Sequence, residues 1–363
     1  MLADPTPARR AVLLVNLGSP DSPSVPDVRR YLTEFLLDPR VIDIPWVLRQ
    51  LLVRGAIIPK RVHNSAEAYH SIWTPEGSPL VLSSRRLRDL LAARVRVPVA
   101  LAMRYGNPSI PDVIRNLAGD GVDDLLLIPL YPHYAMSSYE TVVVRVREVL
   151  RRAAPGCRLT VQPPFYADPD YIAALVASAR PWLDRPHDHL LFSYHGIPER
   201  HCRKADASGS HCLARPDCCD TPHPVHKVCY RHQVFATTRA FAALAGLSPE
   251  RYSVSFQSRL GKDPWLGPYT DFELERLAKS GTRRLLLISP AFVSDCLETL
   301  EELGVMGKKT FLDAGGESFD LIPCLNEHPK WVEFLQRRVE AYSGQTSCPA
   351  DGAPPGVKVQ PKP

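Results

Sequence analysis

Residues 189–200 read HLLFSYHGIPER. Leu190, Leu191, Phe192 and Tyr194 form a short apolar run, and Gly196 and Pro198 stop it. A run of that length bounded by breakers reads as a buried strand, with His195 as its last residue. In open α/β sheets ligands bind outside the carboxyl ends of strands, so a titratable side chain at that point is a candidate for chemistry.

The same pattern occurs twice along the chain. VNLGSP (15–20) matches SYHGIP (193–198) in outline, LLLIPLYPHYAMSSYET (125–141) matches LLLISPAFVSDCLETLEE (285–302), and VQPPFYADPDYIAALV (161–176) matches LIPCLNEHPKWVEFLQ (321–336). Strands are expected at 12–16, 99–104, 125–130 and 159–162, and again at 190–195, 252–257, 285–289 and 319–323, each followed by a helical period. Strand and helix alternation predicts parallel sheets covered on both faces. The fold class expected is therefore α/β, with two similar Rossmann-like domains, each a four-stranded parallel sheet flanked by helices, facing each other across a cleft. Arg185-Pro186 breaks the pattern, which puts the domains at 1–184 and 185–327. A C-terminal helix follows at 328–343, expected to pack back onto the first domain, and then a disordered Pro-, Gly- and Lys-rich tail at 344–363.

Length and composition exclude several classes. A chain of 363 residues with 45% hydrophobic content can build two cores. No apolar run approaches the roughly 20 residues of a membrane span, and the amino-terminal apolar stretch reads as the first core strand rather than a leader. A cytoplasmic protein is expected. A net charge of +5 is too mild and dispersed to imply nucleic-acid binding, and no phosphate-binding glycine loop follows the first strand. Residues 41–62 (VIDIPWVLRQLLVRGAIIPKRV) break the alternation with a broad apolar face and four basic residues. They suit a lip over an apolar ligand or a peripheral membrane contact, or else an ordinary core helix with exposed arginines.

Polar residues collect at the expected strand ends: Asn16, Arg104, Tyr105, Tyr131, His133 and Ser138 in the first half, and Ser193, His195, Gln257, Ser258, Asp295, Glu298 and Glu302 in the second. On a helix Asp295, Glu298 and Glu302 share one face. Acids facing a histidine can collect protons or pass on a hard cation; a solvated acidic helix start is the plainer alternative. Trp265 sits in a loop, where a large ring marks a binding surface, and with Leu17 and the tyrosines it suits a large, flat, apolar ligand.

Nine cysteines include five within 202–229. In a cytosolic protein such spacing suggests metal ligands or buried thiols rather than disulfides.

The stretches VNLGSPDSP, YLTEFLLDPRVIDIP, SIWTPEGSPL, MRYGNPSI, LYPHYAMSS, SYHGIPER, FQSRLGKDPWLGPYT and SPAFVSDCLETLEE, running from about residue 11 to about 335, closely resemble ferrochelatase. The resemblance implies a chelatase fold that inserts Fe2+ into protoporphyrin IX, releases two protons and forms protohaem. Coproporphyrin as the substrate, a cobalt chelatase of the same fold, and a non-catalytic tetrapyrrole-binding protein are the alternatives. It implies His195 and Glu298 as catalytic residues, with Asp295 and Glu302 continuing the metal side. Leu17, Arg104 and Tyr105 are the porphyrin-side positions, beside Tyr131 and Trp265. Fe2+ and the porphyrin are then substrates and partners, and monomer or homodimer stays open. Two departures stand out. Cys296 lies where relatives often have His. The insert at 202–229 resembles that of bacterial relatives holding a [2Fe-2S] cluster, with Cys212, Cys218, Cys219 and Cys229 as ligands and Cys202 as a substitute. Met136 and the lone tail residue Cys348 exclude the family's other cluster arrangement. A zinc site using His211, His223 or His226, or free thiols, are the rivals.

Overall fold

A computed structural model describes residues 8–259, 261 and 263–344. The expectations for the tail from residue 345 onward, Cys348 included, lie outside the described residues. The chain divides into two compact units. Of the described residues, the first takes 8–130, 136–163 and 326–344, and the second takes 131–135 and 164–325.

The first unit is built on four parallel strands, β1 (Arg10–Ser19), β2 (Val99–Gly106), β3 (Asp124–Pro129) and β4 (Arg158–Val161), in the order β2-β1-β3-β4. The second carries β5 (His189–His195), β6 (Tyr252–Gln257), β7 (Arg284–Ile288) and β8 (Ser318–Leu321) in the corresponding order β6-β5-β7-β8. All eight expected strands are present and the two sheets share one topology. Strands buried on both faces have no need of polar alternation. Val12, Leu13, Leu14 and Val15 are all fully buried, each worth about 1.5–3 kcal/mol against exposure.

The helices are α1 (Val25–Leu36), α2 (Trp46–Leu52), α3 (Ile58–Ile72), α4 (Pro79–Ala92), α5 (Ile110–Gly119), α6 (Thr141–Ala153), α7 (Pro169–Leu183), α8 (Glu199–Ala205), α9 (Tyr230–Ala245), α10 (Thr270–Lys279), α11 (Lys308–Asp313) and α12 (Pro329–Gly344). Several start from a side-chain cap followed by proline: Ser24 accepts from the Asp27 N–H, Ser109 from Asp112 and Asp168 from Asp170. Helix α7 packs on α9 in the second unit, and the Tyr171 hydroxyl donates to the Pro290 carbonyl at 2.8 Å. The contact division and a boundary at 184 therefore differ by this helix. Helix α12 packs on α4 in the first unit, where Arg10 donates to the Ser343 carbonyl at 2.5 Å.

Residues 41–62 form α2, a π-helical turn at Val53–Ile57 and the start of α3. The helix is inverted relative to an ordinary core helix. Trp46 and Leu51 are 64% and 67% exposed, whereas Arg49 is buried and donates to the Ile42 and Ile44 carbonyls at 3.2 and 2.9 Å. Arg49 is thus not one of the exposed arginines of the core-helix reading: it closes off the carbonyls of the turn before α2, and the apolar side chains are left outside.

Gly18 is where the first sheet admits no side chain. It has φ +105° and pairs with Tyr105, and a Cβ there would lie 1.8 Å from the Tyr105 carbonyl oxygen. Gly18→Ala is expected to destabilise the chain by more than about 1 kcal/mol, read as a lowered thermal midpoint.

Candidate active site at the carboxyl end of strand β5

Strand β5 lies between β6 and β7, and it outlasts β7: pairing with β7 ends at Phe192, while pairing with β6 continues through His195 opposite Gln257. The next residue cannot carry a side chain. A Cβ on Gly196 would lie 2.9 Å from the Gln257 carbonyl oxygen and 3.3 Å from the Trp265 ring, and the Gly196 N–H donates to that same carbonyl at 2.7 Å. Trp265 is therefore held against the strand end in a bridge with Pro198, rather than standing clear in its loop.

The His195 ring is fixed by its own neighbour. Nδ1 lies 2.6 Å from the Gly196 carbonyl oxygen. A carbonyl only accepts, so Nδ1 carries the hydrogen, and in the neutral ring the lone pair is on Nε2. The backbone is secured too: the Tyr230 hydroxyl donates to the His195 carbonyl at 2.8 Å. Phe292 covers the ring, edge-on at 6.2 Å. Behind it His133 is buried edge-on to Tyr194 and Tyr230, its Nε2 2.9 Å from the Thr237 hydroxyl. Burial pushes His133 down to about 3, so it stays neutral.

The acidic row departs from the expected α-helix. Residues Glu298–Gly307 form a π-helix, with the Lys308 N–H reaching back five residues to Leu303. The wider turn still keeps Glu298 close enough to Glu302 for its charge to act on the Glu302 carboxyl, and His195 acts on Glu302 as well. Burial raises the Glu302 carboxyl, Ser258 and His195 oppose that rise, and the charge of Glu298 adds to it. Ser258 donates its N–H to Oε1 at 3.0 Å and its hydroxyl to Oε2 at 2.5 Å. Asp295 accepts from the Thr299 hydroxyl and the Cys324 N–H, both at 3.2 Å. Cys296, at the position where histidine was the expectation from the resemblance, is buried in contact with Glu298, and its thiol is pushed up chiefly by burial. Among the described residues no three His, Cys, Asp or Glu side chains converge as ligands of a single ion.

The porphyrin-side candidates of the first unit rest on a residue that the sequence did not mark out. Asp38, in the buried turn after α1, accepts from Arg104, from the Tyr105 hydroxyl at 2.9 Å and from Thr141 at 2.5 Å. Tyr105 is fully buried, with the Arg104 guanidinium 4.4 Å from its ring centroid. It acts as a support for Arg104 rather than as an exposed face. Leu17, half-buried, follows Asn16, whose side-chain carbonyl takes the Leu17 N–H at 2.8 Å. Tyr131 is half-buried and belongs to the second unit. A charge hub such as Asp38 could have been sought as the acid that ends the apolar run Phe35-Leu36-Leu37; Thr141 and Tyr230 give no such signal.

In the insert, Cys202, Cys212, Cys218, Cys219 and Cys229 are all buried. Cys229 touches Cys212 and Cys219, and Cys219 touches Cys218. The contact with Cys212, with burial added and against an opposing contact from Cys219, raises the Cys229 thiol to about 12. Four neighbouring thiols cannot all ionise without a cation among them. Two N–H groups already point at the sulfurs: Leu213, at φ +60°, donates to Cys218 at 3.4 Å, and Arg231 reaches Cys218 and Cys219 at 3.6 and 3.4 Å. The histidines of the rival zinc site bond to backbone instead. His211 and His226 donate to the Cys218 carbonyl at 2.7 and 3.0 Å, and His223 accepts from Val225 at 3.3 Å.

The ferrochelatase family model matches residues 9–342. A ferrochelatase of Opitutus terrae is 62% identical over 336 residues, covering 92% of this chain and 97% of the relative. One of Azotobacter vinelandii is 54% identical, covering 90% and 96%, and one of Pseudomonas putida is 52% identical, covering 91% and 98%. Among solved structures, SirB from Bacillus subtilis with Fe3+ aligns at a TM-score of 0.54 and 11% identity, covering 93% of this chain and 96% of SirB, which bears on the fold alone. With a family match across nearly all of its length and relatives above half identity, the chain belongs to the ferrochelatase family.

Proposed function

We propose that His195 is the proton acceptor of this ferrochelatase and that Glu298, Glu302 and Asp295 serve the metal side. The activity is insertion of Fe2+ into a porphyrin for haem synthesis. A free-base porphyrin carries two N–H protons, and Fe2+ replaces both: one ring and one Fe2+ give haem and two protons. The reaction needs an acceptor with a lone pair at neutral pH. The observation that carries the reading is the His195 Nδ1–H bond to the Gly196 carbonyl, which leaves Nε2 unprotonated in the neutral ring. Glu298 is read as the carboxylate that stabilises the imidazolium once it forms.

Leu17, Tyr131 and Trp265 are read as apolar contacts of the macrocycle. Arg104, anchored on Asp38 with Tyr105 beneath it, is read as a cation for a ring carboxylate. Distorting the flat ring so that its lone pairs meet the metal draws on binding energy along the macrocycle. Protoporphyrin IX is the substrate of this reading. The protein is read as cytoplasmic with peripheral membrane contact through α2, whose exposed Trp46, Val47, Leu48 and Leu51 support that placement. Among the described residues no helix is long and apolar enough to cross a membrane.

Cys212, Cys218, Cys219 and Cys229 are the residues that would hold a [2Fe-2S] cluster, which is supported by their mutual contacts and by the Leu213 and Arg231 donors. When bound, such a cluster supplies one-electron chemistry and ties the insert together, and no step of metal insertion runs through it.

Zinc-porphyrin fluorescence with protoporphyrin and coproporphyrin tests the activity, and protoporphyrin is expected to give the faster product formation. His195→Ala is expected to lower kcat at saturating metal by about 10²-fold or more; unchanged turnover would exclude His195 as acceptor. Anaerobically purified protein is expected to be brown with two iron and two sulfide per chain, and Cys218→Ser is expected to lose the visible absorption. A colourless, zinc-loaded preparation would contradict the cluster.

A further inference from the structure

The residue after β6 is out of place in a strand end. Ser258 has φ +61°, the left-handed region, which costs a residue with a Cβ unless the surroundings hold it there. Serine has none of the preference of asparagine or glycine for this conformation, so something in the fold requires it. Its two hydrogen-bond donors show what. The Ser258 N–H meets Glu302 Oε1 at 3.0 Å and its hydroxyl meets Oε2 at 2.5 Å. A single residue holds both oxygens of a carboxylate from the π-helix.

The neighbouring bonds make this seat continuous with the histidine. Gln257, immediately before Ser258, pairs with His195 and accepts the Gly196 N–H at 2.7 Å. The backbone that presents Ser258 is thereby tied to the backbone that presents His195. In between, Glu302 feels the charge of His195 and of Glu298. The plane of the Glu302 carboxylate is thus set by the end of β6, paired with the strand that bears His195, and not by the π-helix alone.

We infer that Ser258 is a positioning residue for metal insertion: it clamps the Glu302 carboxylate in a fixed orientation as an anionic point for arriving Fe2+, with the left-handed backbone aiming the N–H half of the clamp. This rests on the reading of Glu302 as a metal-side residue. A bidentate seat leaves the outward lone pairs of both oxygens in one direction, which a freely rotating side chain would not do. In this reading the macrocycle does not use the seat, so its loss is expected to fall on the metal.

Two variants separate the hydroxyl from the backbone. Ser258→Ala removes the hydroxyl donor and keeps the strain; Ser258→Gly removes the hydroxyl and relieves the strain. Steady-state kinetics with Fe2+ or Zn2+ as the varied substrate is expected to show KM for the metal raised about tenfold in both, as for loss of a hydrogen bond to a charged group. KM for porphyrin and kcat at saturating metal are expected to stay within about threefold. In a Glu302→Gln background, itself expected to raise the metal KM, Ser258→Ala is expected to add little, because the two residues act as one unit. If Glu302→Gln raises the metal KM and Ser258→Ala and Ser258→Gly do not, the clamp is overturned while the reading of Glu302 stands. If Glu302→Gln leaves the metal KM unchanged, that reading falls and the clamp with it. Porphyrin and metal KM rising together, or a normal metal KM in Ser258→Gly alone, would overturn the clamp in favour of a structural role.

Discussion

The bond from His195 Nδ1 to the Gly196 carbonyl decides what the imidazole can do, and much of the second unit is arranged to keep it. Gly196 is pressed against the Gln257 carbonyl and the Trp265 ring so closely that no side chain fits, and Tyr230 holds the His195 carbonyl from the first turn of α9. A ring held this way offers one nitrogen outward and cannot exchange its tautomer without breaking a 2.6 Å hydrogen bond. The orientation is set by backbone geometry, through the Gly196 carbonyl.

The strands and their ends were legible because a buried parallel strand leaves a plain signature: a short β-branched or Leu-rich run, then Gly or Pro. That pattern places His195 on β5 and Asn16 on β1, and the duplication of the topology follows from the repeat. The acids at 295, 298 and 302 were legible as a row but not as a π-helix, since spacing of three and four residues is compatible with either turn. A π-helical turn also follows the third strand of the first unit, at Met136–Glu140, so the widened turn belongs to the repeat. The roles of Asp38 and Ser258, and the inward turn of Arg49, depend on partners 5 to 103 residues away in the chain. No local pattern encodes such bonds. Trp265 was legible as an unusual loop aromatic, whereas its packing on Gly196 was not.

The insert brings a second layer of organisation to the same strand end. Cys229 is the residue before α9, and the next residue, Tyr230, donates to the His195 carbonyl. The thiol group and the histidine are therefore joined through one helix start. The two sulfurs at 218 and 219 are met by a guanidinium and a backbone N–H, donors that stabilise thiolate charge in a buried setting. A loop of this composition has little apolar surface with which to build a core of its own.

In the neutral His195 ring the Nδ1–H bond to the Gly196 carbonyl leaves Nε2 without a hydrogen. Two-dimensional 15N–1H spectroscopy of histidine-labelled protein, with the His195 signals assigned by their loss in a His195→Gln variant, measures this directly. A protonated, pyrrole-type Nδ1 and a pyridine-type Nε2 are expected in the neutral ring. A pyrrole-type Nε2 with an unprotonated Nδ1 would contradict it.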